Sequence, residues 1–255
     1  MSIGRRAPQG YGPSLVASKA VGEPARDGGT ARSPGKTLAF VHTVLALPPT
    51  FAALADELVP GTEVFHIVDE SLLGVTRKAG ALTAVTRRRV LGHVESAAEA
   101  GADLVVVTCS SVGPAADASR SFVPVRVLRI DEPMADEAVR LGSRIGVLAT
   151  LTTTLEPTAE LVDRRGRLTG KPVEVVSRVC EGAFDALAAG DRDRHDELVR
   201  AGLRQLAEDV EVVVLAQASM ARVVDALPER ERTVPILSSP RLGMLRVAEL
   251  LAQDG

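Results

Sequence analysis

DLVVVTCSSVGPAADASR, residues 103–120, is the stretch on which the fold turns. Three consecutive valines ending in Thr-Cys-Ser-Ser read as a strand buried on both faces, and the Gly-Pro-Ala-rich segment behind it opens a helix. The motif returns a hundred residues later: VVVTCSS (105–111) is answered by VVVLAQAS (212–219), and VPVRVLRIDEP (123–133) by VPILSSPRL (234–242). A repeat of that kind predicts two similar lobes.

Working outward, LAFVHTV (38–44), EVFHIV (63–68), DLVVVTC (103–109) and VPVRVLRI (123–130) form a first series of strand candidates. RIGVLAT (144–150), VEVVSRV (173–179), EVVVLAQ (211–217) and VPILS (234–238) form a second. Helical patterns alternate with them. In VTRRRVLGHVESAAEAG (85–101), Val90, Val94, Ala97 and Ala98 share one face and Gly101 ends the helix. In HDELVRAGLRQLAEDV (195–210), Leu198, Gly202 and Leu206 recur every fourth residue.

The fold class expected is therefore α/β: two pseudo-symmetric flavodoxin-like lobes, each with a mostly parallel sheet flanked by helices. Residues 36–135 make lobe one, joined by a returning C-terminal helix (240–255), and residues 136–239 make lobe two. Residues 1–35, rich in Gly, Pro, Ser and Arg without apolar period, read as a disordered tail. Ligands of such sheets bind at the carboxyl ends of the strands, so the active site is expected in the cleft between the lobes.

Composition narrows the function. The 255 residues are 45% hydrophobic and 25% charged, enough for a substantial core, with 30 Lys plus Arg against 33 Asp plus Glu and no long basic block. Five Phe, one Tyr and no Trp provide no stacking platform for bases. Nucleic acid is disfavoured as a partner. No apolar run approaches the roughly 20 residues of a membrane span, and no apolar signal segment follows Arg5 and Arg6, so a cytoplasmic protein is expected. Two cysteines far apart, Cys109 and Cys180, suit a reducing compartment.

Cys109 stands at a strand end and before a helix N-terminus, where unpaired N–H groups favour thiolate and lower a cysteine pKa from about 8.5 toward roughly 3.5–7.5. The same N–H groups, with the Ser110 and Ser111 hydroxyls, suit a substrate carboxylate. The competing reading of Cys109 is a small buried residue ending a core strand. In lobe two, GVLATLTTT (146–154) places Thr150, Thr152, Thr153 and Thr154 ahead of the helical TAELVDRR (158–165), as anion-binding or capping hydroxyls. His42 ends the first strand as a candidate proton carrier, with Thr43 beside it as an anion ligand. Glu70, in the acidic turn Asp69-Glu70-Ser71, is a candidate for a substrate amino group, as is Glu181 in lobe two. His66, His93 and His195 read as structural or solvated, Cys180 as a packed strand-end residue, and Arg87, Arg88 and Arg89 as a solvated helix face.

No lysine (Lys19, Lys36, Lys78, Lys171) stands at a strand end with a phosphate loop, and there is no glycine-rich dinucleotide fingerprint or metal-ligand spacing. No cofactor and no metal are expected.

These residues resemble the aspartate/glutamate/hydantoin racemase superfamily over residues 36–250. The family's first cysteine pattern is matched by Cys109, Ser110 and Ser111, and its anion-binding G-x-x-x-T-x-x-T by Gly146, Thr150 and Thr153. Its second-lobe L-G-C-A-G-M is matched by Leu215, Ala216, Gln217, Ala218, Ser219 and Met220, so Gln217 stands where the second cysteine would be. An amide is no base, and a symmetric two-thiol exchange lacks its second member. The resemblance implies a cofactor-independent isomerase or racemase acting at a carbon next to a carboxylate. Cys109 would be its single catalytic thiol, and Thr43, Ser110, Ser111, Thr150, Thr153, Ala218, Ser219 and Glu70 would surround the substrate. It also implies a small carboxylate-bearing substrate and association into a homo-oligomer. The alternatives are a decarboxylase (lyase), a Cys-dependent cis-trans isomerase, or a non-catalytic small-carboxylate-binding protein.

Overall fold

The computed structural model describes residues 35–253, so the expectation for residues 1–35 lies outside the described residues save for Gly35. Lobe one runs β1 (Thr37–His42), α1 (Pro48–Leu58), β2 (Glu63–Val68), α2 (Glu70–Ala79), α3 (Ala84–Glu99), β3 (Leu104–Val107), α4 (Gly113–Ser119) and β4 (Arg126–Arg129). Then come α5 (Glu132–Leu141), β5 (Arg144–Ala149), α6 (Thr152–Leu168), β6 (Glu174–Val179), α7 (Ala183–Ala188), α8 (Arg192–Ala207), β7 (Val212–Leu215), α9 (Ala221–Asp225), β8 (Ile236–Ser238) and α10 (Ser239–Gln253). Short 3₁₀ turns, Ser110–Val112 and Ala218–Met220, follow β3 and β7.

Each lobe holds a four-stranded, all-parallel sheet, in the orders β2-β1-β3-β4 and β6-β5-β7-β8. The expected two-lobed α/β architecture is what the chain forms. The central strands are uniformly buried because side chains alternate between two covered faces. In lobe one, Leu38, Phe40, Leu104 and Val106 pack on α1 and on Met244, Val247 and Leu251 of α10. Ala39, Val41, Val105 and Val107 pack on α2, α3 and α4 through Leu72, Val90, Val94 and Ala115. The C-terminal helix thus closes the first lobe's core. In lobe two, Met134, Ala135 and Ala138 of α5 join Ile145, Val147 and Val212, while Val199, Leu203 and Leu206 of α8 cover Leu148, Val213 and Leu215. α5 therefore packs with the second core from its first turn.

The fourth strands are shorter than their β-rich runs. Pairing begins at Arg126 and Ile236, just past Pro124 and Pro235, whose nitrogens have no hydrogen to donate. β4 and β8 are edge strands. Gly101, at φ 91°, ends α3 in the left-handed conformation that only glycine adopts without strain.

Candidate active site

Strand register places the chemistry. Thr108 N donates to Val41 O (3.0 Å) in lobe one, and Ala216 N donates to Leu148 O (2.9 Å) in lobe two. The residues just past β1 and β3, Thr43 and Cys109, are therefore neighbours, as are Thr150 and Gln217 just past β5 and β7. Cys109 and Gln217 each stand in extended conformation immediately before a 3₁₀ turn (φ −118° and −133°).

Both side chains line one cavity of about 120 Å³ between the lobes, room for about four waters. Thr43, Thr108, Ser110, Ser111, Ala218 and Ser219 line it too, so the structure brings most of the expected site residues together. Its remaining wall includes Leu47, Leu73, Leu151, Phe184 and Leu187, which sequence reasoning missed. Among the described residues, no Asp, Glu, Lys or Arg lines it. A larger cleft of about 870 Å³ runs along β4, α5 and α10 and contains neither Cys109 nor Gln217.

Cys109 keeps some exposure toward the cavity but is enclosed by protein. Burial pushes its thiol pKa up, outweighing the Thr43 hydroxyl, the backbone N–H groups of Ser111 and Val112, and the Ser111 hydroxyl, all of which favour thiolate. The depressed pKa expected from sequence is thus corrected. The helical start behind Cys109 is only a three-residue turn and a seven-residue α4, while leucines and Phe184 desolvate the site. Thr43, 1% exposed, has a hydroxyl without a geometrically regular hydrogen bond.

Thr150 and Thr154 are turned to other work. Gln217 Oε1 accepts from Thr150 N (2.6 Å) and from Thr150 Oγ1 (2.9 Å). Thr150 is buried and does not itself line the cavity. Thr154, which does line it, shares a 2.8 Å hydrogen bond with Ser111. Thr153, expected to bind substrate, instead borders a surface hollow with Arg77 and Lys78.

His42 sits behind the cavity rather than in its wall. Its ring is fully buried, stacks on Phe40, and bonds Thr108 Oγ1 through Nδ1 (2.8 Å) and His66 Nδ1 through Nε2 (2.9 Å). Burial and the neighbouring His66 lower its pKa to about 4, so it is neutral near pH 7. A neutral ring has one N–H and one bare nitrogen, so of its Thr108 and His66 contacts one receives the His42 hydrogen and the other supplies one. The proton-carrier expectation for His42 gives way to a supporting position beneath Thr108.

Glu70 also lies outside the cavity: it is exposed, and Oε1 accepts from Leu45 N (3.2 Å). A strand-end turn faces two ways, and here the carboxylate takes the solvent side. Asp69 is held by Ser71, Arg89 (2.6 Å) and His93 (2.8 Å); burial opposes its ionisation, but these partners prevail and lower its pKa. Arg89 is therefore an ion-pair partner rather than part of a solvated face. His195 is buried in α8 against Asp196 (2.8 Å). Cys180 is buried beside Gly202, and burial raises its pKa to about 11.

Two parallel α/β lobes, with a cysteine and small hydroxyl residues meeting at the strand ends in the cleft between them, define an enzyme class of two-lobed racemases. The chain belongs to the Asp/Glu/Hydantoin racemase family, whose family model matches residues 41–246. No curated protein matches the sequence. Among solved structures, the fold is similar to a glutamate racemase of Bacillus anthracis at 16% identity, with TM-score 0.68 and coverage of 86% of this chain and 83% of that one. It is also similar to an allantoin racemase from Klebsiella pneumoniae (23%, TM-score 0.62, 86% and 89% covered). An aspartate racemase homologue from Pyrococcus horikoshii OT3 shares the fold as well (18%, TM-score 0.60, 85% and 99% covered). Among the described residues, no helix is long and apolar enough to cross a membrane.

Proposed function

We propose that this chain is a cofactor-independent isomerase of the racemase type acting at a carbon next to a carboxylate, with Cys109 as its one catalytic thiol. The observation that carries the reading is the place of Cys109 in the wall of the cavity between the lobes, with the hydroxyl donors Thr43, Ser110 and Ser111 around it. Such donors favour the thiolate that removes an α-proton. The electron pair left on carbon passes to the carboxylate or carbonyl oxygen, where Ser110 and the loop N–H groups stabilise the charge. The Gln217 amide is neither an acid nor a base near neutral pH, so the opposite face is served by the Ser219 hydroxyl or water. Of the lysines within the described residues, none lines the cavity, which supports chemistry without a lysine-bound cofactor.

The raised thiol pKa favours one second reading, a decarboxylase. There the C–C bond to CO2 breaks, the pair stays as an enolate, and neutral Cys109 gives its Sγ–H proton to the α-carbon, later regaining one from water.

Proton NMR in D2O with small amino acids, hydantoins, malonates and maleate tests both readings. Cys109-dependent deuterium exchange or inversion supports the first, Cys109-dependent CO2 loss the second. Turnover that survives Cys109→Ala overturns both, and carboxylate binding without turnover marks a binding protein.

A further inference from the structure

Gln217 occupies the site that its own chain offers to an anion. One oxygen, Oε1, takes both donors of Thr150, the backbone N–H at 2.6 Å and the hydroxyl at 2.9 Å. Two convergent donors on a single acceptor are the arrangement that holds one oxygen of a carboxylate. Thr150 is 5% exposed and absent from the cavity wall, whereas Gln217 is part of that wall, so the amide stands between the donors and any ligand.

The first lobe differs at the same position. Thr43, the counterpart of Thr150 one residue past the first strand, lines the cavity, and its buried hydroxyl has no regular hydrogen bond. In lobe one the strand-end neighbour is a thiol, which the Thr43 hydroxyl faces without a regular hydrogen bond; in lobe two it is an amide, whose oxygen takes both donors of Thr150. No Lys or Arg lines the cavity among the described residues, so nothing else there would hold a second carboxylate. The rest of the wall is uncharged, built of hydroxyl residues and of Leu73, Phe184 and Leu187.

We propose that Gln217 is a specificity-determining residue: it fills the Thr150 oxyanion subsite and restricts the cavity to substrates with a single carboxylate and an apolar or uncharged remainder. This inference rests on the functional reading above, in that it assumes the cavity around Cys109 binds substrate. It predicts that dicarboxylates are rejected because their second carboxylate finds its donors already taken and no counter-charge nearby.

Calorimetric titration with succinate, and with acetate as the single-carboxylate control, tests it without recourse to turnover. Gln217→Ala frees both Thr150 donors, and succinate should bind roughly tenfold more tightly or better than to wild type, the scale of a charge-assisted hydrogen bond. Acetate affinity should stay as it was. Gln217→Glu, which places its own carboxylate on Thr150, should show no gain, and Thr150→Val added to Gln217→Ala, which leaves only the backbone N–H, should shrink the gain. Gln217→Ser makes the same measurement if the alanine variant does not fold. Equal succinate binding by wild type and the folded small-residue variant overturns the proposal, as does a gain undiminished by Thr150→Val. The functional reading fails separately, on turnover that persists in Cys109→Ala.

Discussion

Ser111 Oγ and Thr154 Oγ1 lie 2.8 Å apart and buried, joining the turn after β3 to the first turn of α6 and so tying the two lobes together beside Cys109. The bond crosses the cleft beside the loop that carries Cys109. Thr154→Val keeps the shape and removes the hydroxyl, leaving Ser111 with an unmet partner. Stability should fall by about 1–2 kcal/mol, and turnover should fall through kcat more than KM because the Ser111 N–H that faces the thiol loses its anchor. Urea unfolding and steady-state kinetics read the two effects; a variant indistinguishable from wild type in both would deny the bond its role.

The two thiols should separate by access. Burial raises both pKa values, Cys180 to about 11, but only Cys109 opens onto a cavity and carries N–H donors that favour thiolate. Iodoacetamide should modify Cys109 first, slowly near neutrality and faster as pH rises, with Cys180 lagging throughout. Equal rates in mass-spectrometric mapping would remove the case for Cys109. Cys180 also links pH to stability. Between its ordinary value of 9.0 and about 11 the unfolded chain has lost a proton that the fold retains, so stability declines as pH rises across that window. The decline attributable to this group is no more than about 2 kcal/mol after solvent screening, and it should vanish in Cys180→Ala.

His42 should titrate far below its ordinary value. Its folded pKa of about 4 lies under the unfolded 6.5, set by burial and then by His66, so the unfolded chain takes up a proton first. Stability is then full above pH 6.5 and is lost as pH falls toward 4. The imidazole resonance of His42 in an NMR titration should move only near the lower figure. A midpoint near 6.5 would mean that the ring is solvated and the Thr108 support described here is absent.

Much of this was legible in the sequence, for identifiable reasons. Runs such as VVVT and VVVLA cannot be half-exposed, so covered parallel strands follow, and with them the carboxyl-end cleft that holds Cys109, Ser110, Ser111, Gln217 and Ser219. The likeness of residues 215–220 to the family's second cysteine motif put Gln217 in the place matching Cys109. What stayed hidden depends on partners remote in sequence. The Thr150–Gln217 contact exists because β5 and β7 pair in one register across 67 positions. The desolvation that raises the Cys109 pKa comes from Leu47, Leu73, Leu151 and Phe184, four separate segments. For His42 and Glu70, a place at a strand end was readable but the direction of the side chain was not.

Arg77 should govern access to the cavity. Its guanidinium lies 3.9 Å over the Phe184 ring and 3.8 Å from Asp185, so α2 of lobe one grips α7 of lobe two at the residue that walls the cavity. The cation–π contact is worth about 0.5–1 kcal/mol at so open a position, too little to matter for global stability but enough to loosen a six-residue helix. Arg77→Ala should therefore leave the melting temperature nearly unchanged while Cys109 alkylation speeds several-fold. Unchanged alkylation would show that Phe184 holds its place without Arg77.

Gly113 and Gly92 offer a paired test of the packing behind the thiol loop. Gly113 has an ordinary helical backbone, φ −52° and ψ −43°, so conformation alone does not require glycine there. Space does: a Cβ would meet the Arg129 guanidinium carbon at 2.4 Å. That guanidinium cannot yield, since it is 2% exposed and fixed by Asp131 through two bonds (3.0 and 2.9 Å) and by Asp117 (2.9 Å). Gly113→Ala should cost about 2 kcal/mol or more despite the better helix propensity of alanine, and it should slow turnover by shifting the loop that carries Cys109. At Gly92, inside α3, a Cβ meets nothing within 4 Å, so Gly92→Ala should stabilise by up to about 1 kcal/mol. Arg129→Met completes the set, because it strands the buried Asp131 carboxylate, while Asp117 keeps Arg164 and Arg120, at a cost of about 3–5 kcal/mol. Thermal melts that fail to order these three variants as Gly92→Ala above wild type, with Gly113→Ala and Arg129→Met below, would contradict the buried ion cluster as the support of the Cys109 loop.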